Sequence, residues 1–105
     1  MTEYAPDSWV VIKIKQEDDS VEYKILGGWS GGYLDGDSWR MNSGIEKMDY
    51  DGRYYHFTGY SGSVYVCHKQ GEHLSMATMG VWGQLAEKFA DNVEIVDVGD
   101  IKLSA

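Results

Sequence analysis

The stretch WVVIKIKQEDDSVEYKIL, residues 9–26, decides the fold. Residues 9–15 are rich in β-branched side chains and half alternating, with Val10, Ile12 and Ile14 on one face of an extended chain. That reads as a strand. Residues 16–20 are a polar turn, and Val21, Tyr23 and Ile25 then share one face of a second strand. Two strands joined by so short a link form an antiparallel hairpin.

Further along, residues 27–37 carry five glycines, at 27, 28, 31, 32 and 36, and are not expected to hold regular structure for long. Ser38–Asn42 reads as a short strand with Trp39 and Met41 inward. Residues 45–50 and 53–58 flank Asp51-Gly52, the strongest hairpin signal in the chain, and residues 63–69 form another strand after the turn at Ser61-Gly62. The pattern changes after Gly71. Val81, Trp82, Leu85 and Phe89 recur at helical spacing, with Glu87 and Lys88 on the other side, which predicts an amphipathic helix from about Ser75 to Ala90. Gly80 and Gly83 weaken it by about 1 kcal/mol each unless another backbone packs close. Residues 93–98 return as a final strand, and residues 101–105 are a tail or short extension.

The expected fold is therefore α+β: an antiparallel sheet of consecutive hairpins with one C-terminal amphipathic helix packed on one face. A small β-barrel capped by the helix is the alternative. With 105 residues the chain has room for one core, so a single domain spanning 1–105 is expected, with 1–8 as a flexible N-terminus. Trp9, Tyr23, Trp39, Tyr55, Phe57, Tyr65 and Trp82 are the candidate large core residues.

Nine Lys and Arg stand against seventeen Asp and Glu, a net charge of −8. Phosphate contacts need clustered basic residues, so neither direct nucleic-acid binding nor attachment to an anionic membrane is expected. The balance suits a basic protein partner or an acidic DNA-mimic inhibitor, or it serves solubility alone. No apolar run approaches a membrane span. Residues 1–7, MTEYAPD, lack the basic start and apolar stretch of a signal peptide, and the one cysteine, Cys67, has no internal disulfide partner. The expectation is a soluble cytoplasmic protein in which Cys67 is a small buried hydrophobe.

The common chemistries fail one by one. The glycine-rich segment leads to Ser38-Trp39-Arg40 and not into a helix, so no dinucleotide or P-loop site is expected. Cys67 and His68 are adjacent on a strand and face opposite sides, which argues against a metal centre with His56 and His73. Asp35-Gly36-Asp37-Ser38 resembles the start of a calcium loop but lacks the remaining ligands, and reads as a turn. Residues 28–32, Gly-Trp-Ser-Gly-Gly, spell Gly-x-Ser-x-Gly around Ser30, but the string does not stand between a strand and a helix, so no nucleophile is expected there. No catalytic, cofactor-binding or metal-ligating residues are expected.

What remains is aromatic surface: four Trp and eight Tyr are more than so small a core hides. Gly28-Trp29-Ser30-Gly31 is echoed by Gly59-Tyr60-Ser61-Gly62 at an offset of 31 residues, either a duplicated element or two tight turns that use the same inexpensive chemistry. Trp29, Ser30, Tyr33, Asp35, Asp37, Tyr60 and Ser61 form the candidate binding set, since Trp and Tyr bring much contact area at low entropic cost.

Residues 27–44, GGWSGGYLDGDSWRMNSG, with residues 59–69, GYSGSVYVCHK, resemble a family of small uncharacterised proteins of tailed phages that infect marine bacteria. The resemblance covers roughly residues 9–70 and carries no established activity, so no functional residues transfer. It implies a phage-encoded protein in the host cytoplasm that binds a host or phage protein. The leading expectation is accordingly a small acidic non-catalytic protein that binds a protein partner through its aromatic Gly-rich loops, of unknown oligomeric state. A small-ligand or sugar-binding domain, with the rings as a stacking platform, is the other class.

Overall fold

A computed structural model describes residues 2–32 and 36–103. The strands are β1 (Glu3–Tyr4), β2 (Ser8–Lys15), β3 (Val21–Gly32), β4 (Gly36–Met41), β5 (Ile45–Tyr50), β6 (Tyr54–Gly59), β7 (Val64–His68) and β8 (Val93–Val96), with one α-helix, α1 (Met76–Phe89), before the last strand. They form two four-stranded sheets, ordered β1-β7-β6-β5 and β4-β3-β2-β8. Pairing is antiparallel except between β1 and β7. This is the expected α+β fold, built of two open sheets; neither closes into the alternative barrel.

The half-alternating pattern of residues 9–15 now has a cause. β2 lies between β3 and β8, and both of its faces are covered. Trp9 and Val11 point into the space between the sheets, where they meet Tyr23, Ile25, Ile45, Phe57, Tyr65, Cys67 and Val98. Val10 and Ile12 point the other way and join Leu26 and Val93 beneath Val81, Trp82, Leu85 and Phe89 of α1. A strand buried on both faces reads as a near-continuous apolar run. The Trp9 indole N–H also donates to the His68 carbonyl at 2.8 Å, tying the second sheet to the end of β7.

The glycine-rich segment departs from expectation. β3 continues through it to Gly32, pairing Gly27 with Arg40 and Gly28 with Trp39. The reason is close approach from both sides. A Cβ on Gly27 would lie 2.9 Å from Pro6, and one on Gly28 would lie 2.8 Å from Thr78 of α1. These residues are glycine because other elements press on the strand, not because the chain turns there.

Where a flexible lead is expected, residues 3–8 are held instead. Glu3 and Tyr4 pair with Val64 and Tyr65. The Asp7 N–H donates to the Gly28 carbonyl at 2.9 Å, and its carboxylate accepts the Ser30 N–H at 3.0 Å. Backbone groups and one carboxylate do this anchoring, so apolar periodicity carries no sign of it.

Between β4 and β5 the chain crosses from one sheet to the other. Buried Asn42 holds this corner: its side-chain oxygen accepts the Ile25 N–H at 2.9 Å, and its own N–H donates to the Ile25 carbonyl at 3.1 Å. The helix starts where the Thr78 hydroxyl accepts the Ser75 N–H at 3.0 Å, and it ends at Ala90, whose φ is +50°. The final strand is shorter than expected. After Val96 the chain turns so that Val98 enters the core, and the Glu72 carboxylate accepts the Val98 N–H at 3.1 Å.

Candidate functional site

The two Gly-aromatic-Ser-Gly segments take different conformations and lie apart. The first is strand, part of β3; the second is the tight turn between β6 and β7, with Gly62 at φ +93°. The Trp29 ring is half-buried, its N–H donates to the Ala5 carbonyl at 3.0 Å, and it meets Tyr4 edge-on. Tyr4 in turn lies under the Arg40 guanidinium, 4.4 Å from the ring centre. Trp29 thus seals the N-terminal segment onto β3. The exposed Ser30 is held through its backbone to Asp7.

Tyr60 and Ser61 sit at the crossing corner. The Tyr60 N–H donates to the Gly44 carbonyl at 3.1 Å, and the Ser61 N–H donates to the Ser43 hydroxyl at 3.0 Å. The Lys24 ammonium reaches the Ser43 carbonyl from β3, five positions before Trp29. At about 3.3 Å per residue that puts the two segments on the order of 16 Å apart along the sheet. Tyr33 and Asp35 lie outside the described residues, and Asp37 is described only through its backbone in β4. Trp29 and Tyr60, each offered from sequence as part of one aromatic set, belong to different places.

Tyr60 is 65% exposed and borders a cleft of about 210 Å³ shared with Glu22, Tyr23, Glu46 and Lys102. Pockets for drug-sized ligands run from about 300 Å³ upward, so this one suits a side chain or smaller group.

The histidines fall into separate pairs. His56 meets the Asp51 carboxylate at 3.1 Å, and the Tyr54 N–H, with His56 and the Arg53 N–H, holds the Asp51 carboxyl down at about 2. His68 accepts the Gln70 N–H through Nδ1 and lies edge-on to Tyr54. Both imidazoles are on the outer face of the first sheet, on neighbouring strands, yet they engage different partners. Among the described residues no three His, Cys, Asp or Glu side chains come together as a metal-binding group. Cys67 is buried between the sheets beside Tyr65, and burial raises its thiol far above the usual range. Burial also raises the Glu72 carboxyl, partly offset by the Val98 N–H.

Three further large apolar side chains are exposed on β4 and α1. Trp39, expected in the core, is 50% exposed. It stands opposite Gly28 on the helix-side face of β4, an edge strand, and its neighbour on that face, Met41, does pack against the helix layer. The first turn of α1 (Ser75, Ala77, Thr78) settles on bare Gly28 and leaves the adjacent indole half in water. On α1 itself Met76 is 81% and Met79 54% exposed. Gly80 and Gly83 lie on the same outward side, with nothing within 4 Å of a Cβ at either. No charged residue occurs from 76 to 86. Sequence reading missed Met76 and Met79, although the signal was present: the side of the helix opposite Val81, Trp82 and Leu85 stays uncharged until Glu87.

No family model, curated protein or solved structure matches the chain. Among the described residues, no helix is long and apolar enough to cross a membrane.

Proposed function

We propose that this protein is a small acidic binding module that acts by engaging a protein partner, and that its contact face is the outward side of α1 with Trp39 of β4. The observation that carries the reading is the exposure of Trp39, Met76 and Met79, each at least half in water, on an edge strand and a helix that meet at Gly28. Tryptophan is enriched among residues that dominate binding energy, and methionine adapts its shape to a partner at little cost. A chain this acidic gains solubility from its charge, so an uncharged strip eleven residues long on an outer helix face stands out.

The aromatic loops named from sequence are not the centre of this face, because Trp29 is spent on the N-terminal segment and Tyr60 is fastened at the crossing between the sheets. If the protein is phage-encoded, as the resemblance implies, the partner is a host or phage protein in the bacterial cytoplasm.

A photo-crosslinking residue placed at position 76, with a control at Glu17 in the β2–β3 turn, tests the reading. Adducts at position 76 that are absent at position 17 are expected. Equal labelling at both, or none at either, counts against the face.

A further inference from the structure

We propose that Met76 and Met79 form an oxidation site: an exposed pair of thioethers that a peroxide converts to sulfoxides, switching off the contact face of α1. The oxidation stands on the placement of the chain's sulfur atoms, while the switching rests on the reading above. Among the described residues the sulfurs fall into two groups. Cys67, whose thiol would ordinarily be the first target of an oxidant, is fully buried between the sheets, where the reactive thiolate is disfavoured. Met41 packs with Val81 and Trp82 onto the cluster beneath α1, and Met48 packs onto the cluster between the sheets; both are half-buried. Met76 and Met79 form the other group, 81% and 54% exposed. Oxidation of sulfur follows access, so the fold withdraws three sulfurs from an oxidant and presents two, three positions apart on one helix.

The surroundings leave the approach open. Met76, Met79, Gly80 and Gly83 are spaced by three and four residues and so line one side of α1. Nothing lies within 4 Å of a Cβ at either glycine, so the space beside the two thioethers is clear. In the reaction the sulfur lone pair attacks one oxygen of the peroxide, the O–O bond breaks and an S–O bond forms. The second oxygen takes the proton of the first and leaves as water. Sulfur gives up two electrons and the peroxide accepts them. Each product is a polar, hydrogen-bond-accepting side chain in place of an apolar one. A sulfoxide oxygen carried into an apolar contact loses its water without gaining a donor, and binding weakens. The change adds no charge, so the span from Met76 to Ala86 stays uncharged while it ceases to be apolar. Reduction of the sulfoxides restores the thioethers, which makes the site reversible.

Limiting hydrogen peroxide on the whole folded protein, followed by tryptic mapping, tests the oxidation. Cleavage after Arg40, Lys47, Arg53, Lys69 and Lys88 places Met41, Met48 and the Met76–Met79 pair in separate peptides. The peptide of residues 70–88 is expected to gain oxygen about tenfold faster than those of Met41 and Met48, with the rates converging in urea. Equal rates in the folded protein, or Met41 or Met48 reacting first, overturn the site. The switch is read with the photo-crosslinker at position 76, where Met79 is the remaining thioether of the pair. Peroxide is expected to lower the adduct yield several-fold, and methionine sulfoxide reductases, one for each epimer, to restore it. Met79→Leu is expected to keep the yield through the same treatment. Met79 is exposed, so neither its oxidation nor its replacement disturbs the fold, as circular dichroism would verify. A yield indifferent to a Met79 that has gained oxygen overturns the switch and leaves the contact face standing. No adduct before peroxide removes the contact face and the switch with it, and the peptide map then decides the oxidation site alone.

Discussion

Gly28 and Thr78 meet with no room between them: a Cβ on the strand residue would lie 2.8 Å from the methyl carbon of the helix residue. This contact sets how low the first turn of α1 sits on the second sheet, and therefore how much of Trp39, directly opposite Gly28, stays in water. Gly28→Ala is expected to lift that turn, with overpacking costing about 1–3 kcal/mol in urea unfolding. The contrast is Gly80→Ala, where nothing is displaced and helix propensity alone should stabilise the monomer by about 0.5–1 kcal/mol.

Asn42 is the polar link at the crossing between the sheets. Asn42→Ala strands the Ile25 N–H in the core, for a loss of about 1–3 kcal/mol in denaturant unfolding. Asn42→Asp keeps the acceptor but buries a charge at a position that is 6% exposed, so its stability should recover as the pH falls. A variant as stable as the parent at neutral pH would refute the role of the corner.

Trp9 fills the space between the sheets and fastens β2 to β7. Trp9→Phe removes the 2.8 Å bond to the His68 carbonyl and part of the ring, and should cost about 1–3 kcal/mol. Trp9→Ala removes the filling altogether and should cost about 3–5 kcal/mol, enough to unfold many small domains. Thermal unfolding of the two variants measures the difference.

Acid should loosen the β5–β6 hairpin first. The Asp51 carboxyl is lowered from 3.8 to about 2, chiefly by the Tyr54 N–H, then by His56 and the Arg53 N–H. A folded-state value below the unfolded one means that the stabilisation is fully present above about pH 4 and is lost as the pH falls toward 2. Asp51→Asn should flatten the stability profile between pH 4 and 2, read by denaturant midpoints at each pH. An unchanged slope would show that other carboxylates set it.

Cys67 should be inert in the native protein. It is fully buried between the sheets, and burial disfavours its thiolate. Alkylation by iodoacetamide at pH 8 should therefore follow the unfolding of the core, accelerating steeply with denaturant, and not the far faster rate of a free thiol.

Much of this architecture was legible from residues 9–26 and 75–90. Alternation at a period of two and recurrence at three to four are imposed by backbone geometry, so they specify a strand or helix wherever the chain lies. That is why β2, the β5–β6 hairpin at Asp51-Gly52, α1 and the burial of Cys67 were readable. The extension of β3 through the glycines was not, because a glycine gives the same local signal whether it turns the chain or lets Pro6 and Thr78 approach it. Nor was the ordering of residues 3–8, which depends on hydrogen bonds to residues more than twenty positions away.

The amino-acid order alone determined that this chain alternates, that its C-terminal third carries an amphipathic helix and that it is strongly acidic. Each of those follows from neighbours along the backbone. Which rings face water was decided only when the sheets stacked and the helix docked. Trp29 lies in the glycine-rich segment and Trp39 just after it, yet one is covered by Tyr4 and Ala5 while the other flanks a helix seated on a bare glycine. Exposure belongs to the neighbours a side chain acquires in space, and no spacing along the chain encodes it.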